Sequence, residues 1–333
     1  MRLSEKTHLD LSPENFRLLS VGNGGDVDYA EVIDGLRQTP KWISPKFFYD
    51  ARGSELFNAI CTTEAYYPTR TECGIYRRQA QAIAEQVGPD TVIIEFGPGD
   101  MSKIRLLLEQ LRPEAYVGVD VSAAQLEEAG PPLASDYPWL QVLAVCGDFG
   151  PSALLEEHLP RDRKRVAFFP GSTIGNLDPE AAQQFLHGLC RMLGATGKAI
   201  IGVDLQKPVA VLETAYNDPE GYTRAFNLNL LTRFNRELGA NFDERRFRHK
   251  AFYNEQLGRV EMHLVSVVQQ QVRIGEHTIE FQPGETIHTE SSWKYTRDGF
   301  TQLAGKAGFE VQSFFTDDRG WFGVFVLGVN QPM

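Results

Sequence analysis

The sequence predicts an α/β fold, a doubly wound and mostly parallel sheet interrupted by a mixed α/β insert. Three observations carry this reading. Between about residues 70 and 205, apolar strand-like runs alternate with helix-like segments. Strands this apolar need cover on both faces, which is the signature of a parallel sheet between helical layers. The alternation breaks after residue 205, where a helical stretch and then hairpins follow, and it resumes after residue 293.

Taken in order, Thr71–Val87 reads as a helix and Thr91–Phe96 (TVIIEF) as a short buried strand. Lys103–Leu111 is a helix with an apolar face, Ala115–Asp120 (AYVGVD) a second strand followed by a short helix, and Leu140–Cys146 a third strand. Arg165–Phe169 is the fourth strand. Pro179–Leu193 is a helix opened by Asp178 as N-cap, with Pro179 in the first helical position. Ala199–Asp204 is the fifth strand. Val209–Leu238 reads as mostly helical, and residues 250–288 as hairpins turning at Gly258 and Gly275. Arg297–Ala307 is a helix, and Phe309–Phe315 and Trp321–Val329 are closing strands. The division expected is residues 70–205 with 294–333 in one domain. Residues 1–69 and 206–293 form the second, discontinuous one.

The chain has 333 residues, 42% of them hydrophobic and 23% charged, which is ordinary for a soluble protein with a sizeable core. Acidic residues number 44 against 33 basic, for a formal charge of −11. That balance disfavours a binder of phosphate backbones, which depends on a field of Lys and Arg, and leaves room for a small-molecule enzyme. The four cysteines are scattered, without a C-x-x-C pair or a zinc-like His spacing. No metal is expected. The start lacks the apolar stretch of a signal peptide, and no run reaches the ~18 apolar residues of a membrane span. The expectation is a cytoplasmic protein, monomeric, with no nucleic-acid or membrane partner.

The first strand ends in Glu95-Phe-Gly-Pro-Gly-Asp100. Glycines at a strand-to-helix turn let a ligand approach the backbone closely. Asp120 ends the next strand, where a carboxylate accepts both hydroxyls of a ribose. Asp148 and Phe149 follow the third strand, an acceptor for an exocyclic amine beside a ring that packs on a base. The third glycine of a dinucleotide fingerprint is replaced by Ser102. S-adenosylmethionine, which carries a cationic sulfonium and no phosphate, therefore fits better than NAD, and Glu95 and Asp100 suit the positive charge.

Longer stretches are more specific. Phe48–Phe57 (FYDARGSELF), Glu64–Glu72 (EAYYPTRTE), Gly97–Lys103, Phe169–Leu177 (FPGSTIGNL), Phe226–Leu230, Asn235–Leu238 and Ile287–Tyr295 (IHTESSWKY) resemble the histidine-specific, S-adenosylmethionine-dependent methyltransferases, the family that makes hercynine on the route to ergothioneine. The resemblance spans nearly the whole chain. It implies a class I (Rossmann-like) methyltransferase domain and a second, substrate-recognition domain. It further implies that Gly97, Lys103, Asp120, Asp148 and Phe149 contact the cofactor. Tyr66, Asn176 and Tyr216 would hold the α-amino and carboxylate groups of the amino acid, Glu290 and Ser292 would read its imidazole, and Met262 would line that pocket. Tyr49 would stand near the transferred methyl, with Asn176 as its catalytic companion. One departure is visible: the loop reads Gly-Pro-Gly-Asp-Met-Ser where the family pattern is nearer Gly-Ser-Gly-Thr-Ser-Glu. Its backbone contacts are expected to survive that change.

The imidazole assignment makes chemical sense. A neutral imidazole has one N–H donor and one acceptor nitrogen. Glu290 can accept from the first, Ser292 can donate to the second, and the i, i+2 spacing places both on one face of a strand. An indole offers no acceptor nitrogen, which counts against the nearest rival, a methyltransferase for another amine such as a tryptophan derivative. An idle nucleotide-binding scaffold would not need Asp120, Asp148, Asn176, Tyr66 and Glu290 together. A nucleic-acid methyltransferase would be expected to carry an Asn/Asp-Pro-Pro-aromatic motif where this chain has Gly175-Asn176-Leu177.

Overall fold

The computed structural model describes residues 13–21, 27–147, 159 and 163–330. Its centre is an eight-stranded sheet in the order β1-β5-β4-β3-β6-β7-β14-β13. The strands are β1 (Phe16–Val21), β3 (Thr91–Phe96), β4 (Ala115–Asp120), β5 (Gln141–Gly147), β6 (Lys164–Phe169), β7 (Lys198–Asp204), β13 (Phe309–Thr316) and β14 (Phe322–Val329). Pairing is parallel from β1 to β7, and β14 runs antiparallel between β7 and β13. Every residue of β3 is buried, as a strand covered on both faces must be. One face packs on α3 (Tyr67–Val87), α4 (Ser102–Leu111) and α5 (Ala123–Asp136), through residues such as Ile75, Ile83, Leu107 and Leu126. The other packs on α6 (Pro179–Leu193) and α9 (Arg297–Lys306), through Ala182, Leu186, Leu189, Phe300 and Ala304. The sheet is thus doubly wound, as expected. Asp178 caps α6, accepting from the Ala181 N–H at 2.8 Å.

Strand order reverses beside β3: the chain steps from β3 out to β4 and β5, then returns to β6 on the other side. Such a switch point opens a crevice at the C-terminal ends of the strands, where Gly97 and Asp120 lie.

A second, four-stranded sheet runs in the order β2-β12-β9-β8, made of β2 (Lys41–Trp42), β8 (Phe247–Asn254), β9 (Arg259–Ser266) and β12 (Thr286–Trp293). A hairpin of β10 (Gln270–Ile274) and β11 (His277–Phe281) turns at Gly275, and the β8–β9 turn holds Gly258, both at positive φ as the hairpin reading requires. The helical stretch after residue 208 is broken in two, α7 (Val209–Tyr216) and α8 (Tyr222–Leu238). Asp218 makes the break, accepting from the Tyr222 and Thr223 N–H groups at 2.8 and 2.7 Å. One hydrophobic cluster joins these elements to α1 (Tyr29–Arg37) and α2 (Ala51–Thr62), with Val32, Leu36, Phe48, Leu56, Leu230, Phe234 and Ile287 all buried in it.

The insert's two ends meet. Leu205 bridges Tyr295, and the Tyr295 N–H donates to the Asp204 carbonyl at 3.1 Å. The expectation for residues 1–69 needs one correction. Phe16–Val21 pairs with β5 and so belongs to the large sheet, not with the insert. Phe16 packs against α5 where Gly130 has no side chain; a Cβ there would sit 2.2 Å from the edge of the ring.

The two bodies also touch at Gly175, in a 3-10 turn over Thr173–Asn176. A Cβ on Gly175 would lie 2.8 Å from the Trp293 carbonyl of β12. Overpacking of this kind costs about 1–3 kcal/mol. Gly175→Ala should therefore lower the unfolding free energy by that amount in urea titrations, and an unchanged midpoint would show that the turn and β12 are not in close contact.

Candidate functional site

The crevice begins with the loop after β3. Gly97 and Gly99 have φ of 68° and 54°, a region costly for other residues, and a Cβ on Gly99 would meet nothing within 4 Å. The loop therefore presents bare backbone to an open side. Its two unusual residues are absorbed by the fold: Met101 is fully buried in the core, and Asp100 accepts from the Ser102 N–H at the start of α4. Asp120 accepts from the Ser122 N–H at 3.0 Å, while Ser122 itself caps α5. The backbone N–H groups of Gly99 and Val121 also lower its pKa, but burial outweighs all three and holds it above the usual carboxylate value.

Lys103 projects back under this loop. Its ammonium is 2.7 Å from Glu72 of α3, and the same carboxylate accepts the Gly171 N–H at 2.8 and 2.9 Å and the Tyr76 hydroxyl at 2.9 Å. Burial opposes the charge on Lys103, but Glu72 outweighs it and raises the lysine pKa. Glu72 ties α3, the loop after β6 and α4 together at the crevice. Glu95 does not face the opening. It is buried, accepts from the Tyr116 hydroxyl at 2.7 Å, and is pushed up to about 8 by burial, so it is no counter-charge for a sulfonium. Asp148 and Phe149 lie outside the described residues.

These groups suit S-adenosylmethionine. The loop is open and bare, Asp120 stands at the carboxyl end of β4, and Lys103 makes one hydrogen bond among the described residues, leaving two hydrogens for an anionic group.

An aromatic wall continues from there. Tyr49, after the 3-10 turn Pro45–Phe48, packs edge-on to Phe57 and Phe226 at 5.8 Å each. Phe57 meets Tyr66 at 6.3 Å, and Tyr66 meets Tyr216 at 6.1 Å. Burial raises the pKa of Tyr49 well above the ordinary value, as do nearby Glu290, Cys61 and Asp120; Tyr66 is raised in the same way by burial and by Tyr216. Both keep their protons at neutral pH and are donors rather than bases. Asn176 closes the 3-10 turn that packs on β12.

Beyond the wall stands β12. Glu290 is paired in register with Met262 of β9, which is 2% exposed, and Ser292 with Val260. A register shift between His288 and Glu290 starts this stretch, and His288 Nε2 donates to the Glu290 carbonyl at 2.9 Å. From Glu290 onward the pairing is regular, so Glu290 and Ser292 share a face. Burial pushes Glu290 up to about 7, with Lys294 pulling the other way. Among the described residues no hydrogen bond stabilises its carboxylate.

Ser292 and Tyr216 belong to a buried polar cluster. The Tyr216 hydroxyl donates to Ser292 Oγ at 2.8 Å, and Lys294 Nζ donates to Ser292 Oγ, Asp204 Oδ2 and the Tyr216 oxygen at 2.7, 2.8 and 3.0 Å. Asp204 also accepts from Lys207 at 2.6 Å and the Tyr67 hydroxyl at 2.7 Å. Burial works to raise the Asp204 pKa, and Lys294 and Lys207 outweigh it.

Tyr49, Tyr66, Tyr216, Met262, Glu290 and Ser292 thus come together, and the turn that ends in Asn176 packs on the same strand, β12. Sequence reasoning gave no role to Glu72, Asp204 or Lys294, although two of them stand inside the quoted stretches Glu64–Glu72 and Ile287–Tyr295. Each reads locally as an isolated polar residue, and only the long-range pairing joins them. Glu261, His263 and His288 also converge, with side-chain ligand atoms within 4.8 Å of one another. The two rings are stacked at 4.8 Å and 21°, and Glu261 is engaged by Arg259 at 2.8 Å and Asn254 at 3.0 Å. Lone pairs in stacked ring planes run side by side instead of converging on an ion.

Known proteins resemble this chain over most of its length. The family model for the histidine-specific methyltransferase, S-adenosylmethionine-dependent, matches residues 28–329. A histidine N-alpha-methyltransferase of Mycobacterium tuberculosis is 39% identical over 303 residues, covering 88% of this chain and 92% of its own. One from Mycolicibacterium smegmatis is 37% identical over 325 residues, 95% of this chain and 98% of its own. A 4-dimethylallyltryptophan N-methyltransferase of Aspergillus fumigatus is 25% identical over 304 residues, 86% and 89% of the two chains. The chain belongs to the histidine-specific, S-adenosylmethionine-dependent methyltransferase family.

Proposed function

We propose that this enzyme transfers three methyl groups in turn to the α-nitrogen of L-histidine, giving hercynine in ergothioneine biosynthesis. The observation that carries the reading is the pair Glu290 and Ser292, a carboxylate and a hydroxyl on one face of β12 beside Met262. The names and coverage of the two mycobacterial relatives support it. The division of labour follows the two bodies. The large sheet, with residues 70–205 and 294–333, holds the cofactor through Gly97, Lys103, Asp120, Asp148 and Phe149. The second sheet and its helices, from the insert 206–293 and the chain from about residue 27 to 69, hold the amino acid.

S-adenosylmethionine supplies an electrophilic methyl on a sulfonium, with a neutral thioether as leaving group. The task of the protein is alignment at short range. Tyr66, Tyr216 and Asn176 hold the α-amino and carboxylate groups. Tyr49, protonated and partly buried, faces the reacting nitrogen as a hydrogen-bonding and steric guide. No tyrosine of the wall serves as base, because burial raises each of their pKa values. The amine proton leaves to water. Glu290 accepts the imidazole N–H, Ser292 donates to the other nitrogen, and Met262 fills the pocket floor. The enzyme acts as a cytoplasmic monomer on a small molecule. Among the described residues no helix is long and apolar enough to cross a membrane.

The first test is turnover with a panel of amino acids, following products by mass. Histidine and its mono- and dimethyl forms should be methylated; methylation of a tryptophan derivative instead would overturn the reading. In a second test, Glu290→Ala should lower kcat/KM for histidine about 100-fold or more, the scale of one charge-assisted hydrogen bond lost in a buried site. Calorimetric affinity for S-adenosylhomocysteine should stay within about threefold; equal losses in both would remove the imidazole role. The third test is pH. Burial pushes Glu290 up to about 7, and its ionised form is the much stronger acceptor for an N–H, so kcat/KM for histidine should rise as pH rises through that value. Glu290→Gln should lose the Glu290 contribution to this limb while keeping those set by the imidazole and amine of the substrate.

A further inference from the structure

Lys294 is buried among polar groups, does not belong to the reading above, and uses all its hydrogens. Its three bonds go to Asp204 Oδ2, Ser292 Oγ and the Tyr216 oxygen at 2.8, 2.7 and 3.0 Å. Burial works against its charge, and Asp204 more than restores it, so it stays an ammonium. An ammonium is donor-only. Neither hydroxyl beside it can therefore give it a hydrogen. Between Tyr216 and Ser292 there are two hydroxyl hydrogens. One is consumed in the Tyr216–Ser292 bond at 2.8 Å, and the phenol, the more acidic of the two hydroxyls, is its donor. Ser292 Oγ then accepts twice, from Lys294 and from Tyr216, and both its lone pairs are filled. Its own hydrogen has one direction left, out of the triangle.

From this we infer that Lys294 is a specificity-positioning residue, which fixes Ser292 as an obligate donor toward the substrate ring. The inference rests on the histidine reading and deepens it. A free serine hydroxyl is ambivalent and turns to suit its partner. A serine already accepting two hydrogen bonds cannot turn, so a ring without an acceptor nitrogen leaves a buried O–H unpaired. Glu290, an acceptor when ionised, and Ser292, a donor by constraint, then specify the polarity of a neutral imidazole. The anchor of the device, Asp204, lies at the end of β7, so the large sheet sets the hydrogen-bond sense of a side chain on the second sheet.

The test compares three substrates that share the same α-amino and carboxylate groups. They are histidine, pyrrolylalanine, which keeps a ring N–H and lacks the acceptor nitrogen, and thiazolylalanine, which keeps the acceptor and lacks the N–H. Both ring isomers of each analogue are used. In the wild type, kcat/KM should favour histidine over both. Lys294→Met frees Ser292 to turn, so the histidine-to-pyrrolylalanine ratio should fall tenfold or more. Measured well above the Glu290 pKa, so that loss of the Lys294 charge leaves that carboxylate ionised, the histidine-to-thiazolylalanine ratio, read by Glu290, should change less than threefold. Tyr216→Phe removes the other donor to Ser292 and should shift the first ratio in the same direction. It keeps the test open if Lys294→Met does not fold, and loss of the contact that the Tyr216 oxygen accepts from the α-amino group cancels in the ratio. Binding of S-adenosylhomocysteine reports folding in each variant. Equal changes in both ratios, or none in either, would overturn the positioning role alone. A wild type that does not methylate histidine would overturn the functional reading and this inference with it.

Discussion

The constraint on which the rest depends is the buried carboxylate of Asp204. A charge with 1% exposure is tolerated only if its partners replace water, and here Lys294, Lys207, the Tyr67 hydroxyl and the Ser172 side chain near its own N–H surround it. Those partners come from the end of β12, the segment after β7, the first turn of α3 and the loop after β6. One charge thereby gathers four separate parts of the chain at the point where the insert leaves and rejoins the large sheet. Removing either lysine would leave the buried carboxylate with one counter-charge in place of two, so the partners are coupled. Lys294 also reaches Ser292 and Tyr216, so the cluster that joins the two sheets extends to the residues proposed to bind the substrate.

A parallel arrangement serves the cofactor side. Glu72, without any exposure, holds Lys103 and the Gly171 N–H on one carboxylate. A Cβ on Gly202 would lie 2.0 Å from that carboxylate, which explains a glycine in the middle of β7. Both halves of the site therefore lean on buried acids at the carboxyl ends of the sheet, each stabilised by a lysine. The net charge of −11 conceals this, since the acids that matter are inside and paired.

Much of the fold was legible from the residues. β3, β4 and α6 match the expected boundaries, because all-apolar strands and a Pro-opened helix are local signals. β1 escaped because it is an edge strand whose partner, β5, lies far along the chain. The break between α7 and α8 was readable in Asn217-Asp218-Pro219, a turn signal that the surrounding helical residues outweighed. Within the site, residues on rare, extended stretches were legible. Glu72, Asp204 and Lys294 were not, since their meaning lies in partners brought in from other strands and helices. Glu95 misled for the opposite reason: its place in sequence faces the loop, while its side chain points into the core toward Tyr116.

The most direct measurement is a crystal structure of the protein with histidine and S-adenosylhomocysteine. The account predicts one imidazole nitrogen within hydrogen-bond distance of the Glu290 carboxylate and the other within that distance of Ser292 Oγ. It also predicts that Lys294 retains its three contacts. An imidazole bound away from β12, or a Ser292 turned toward Lys294 and away from the ring, would contradict it.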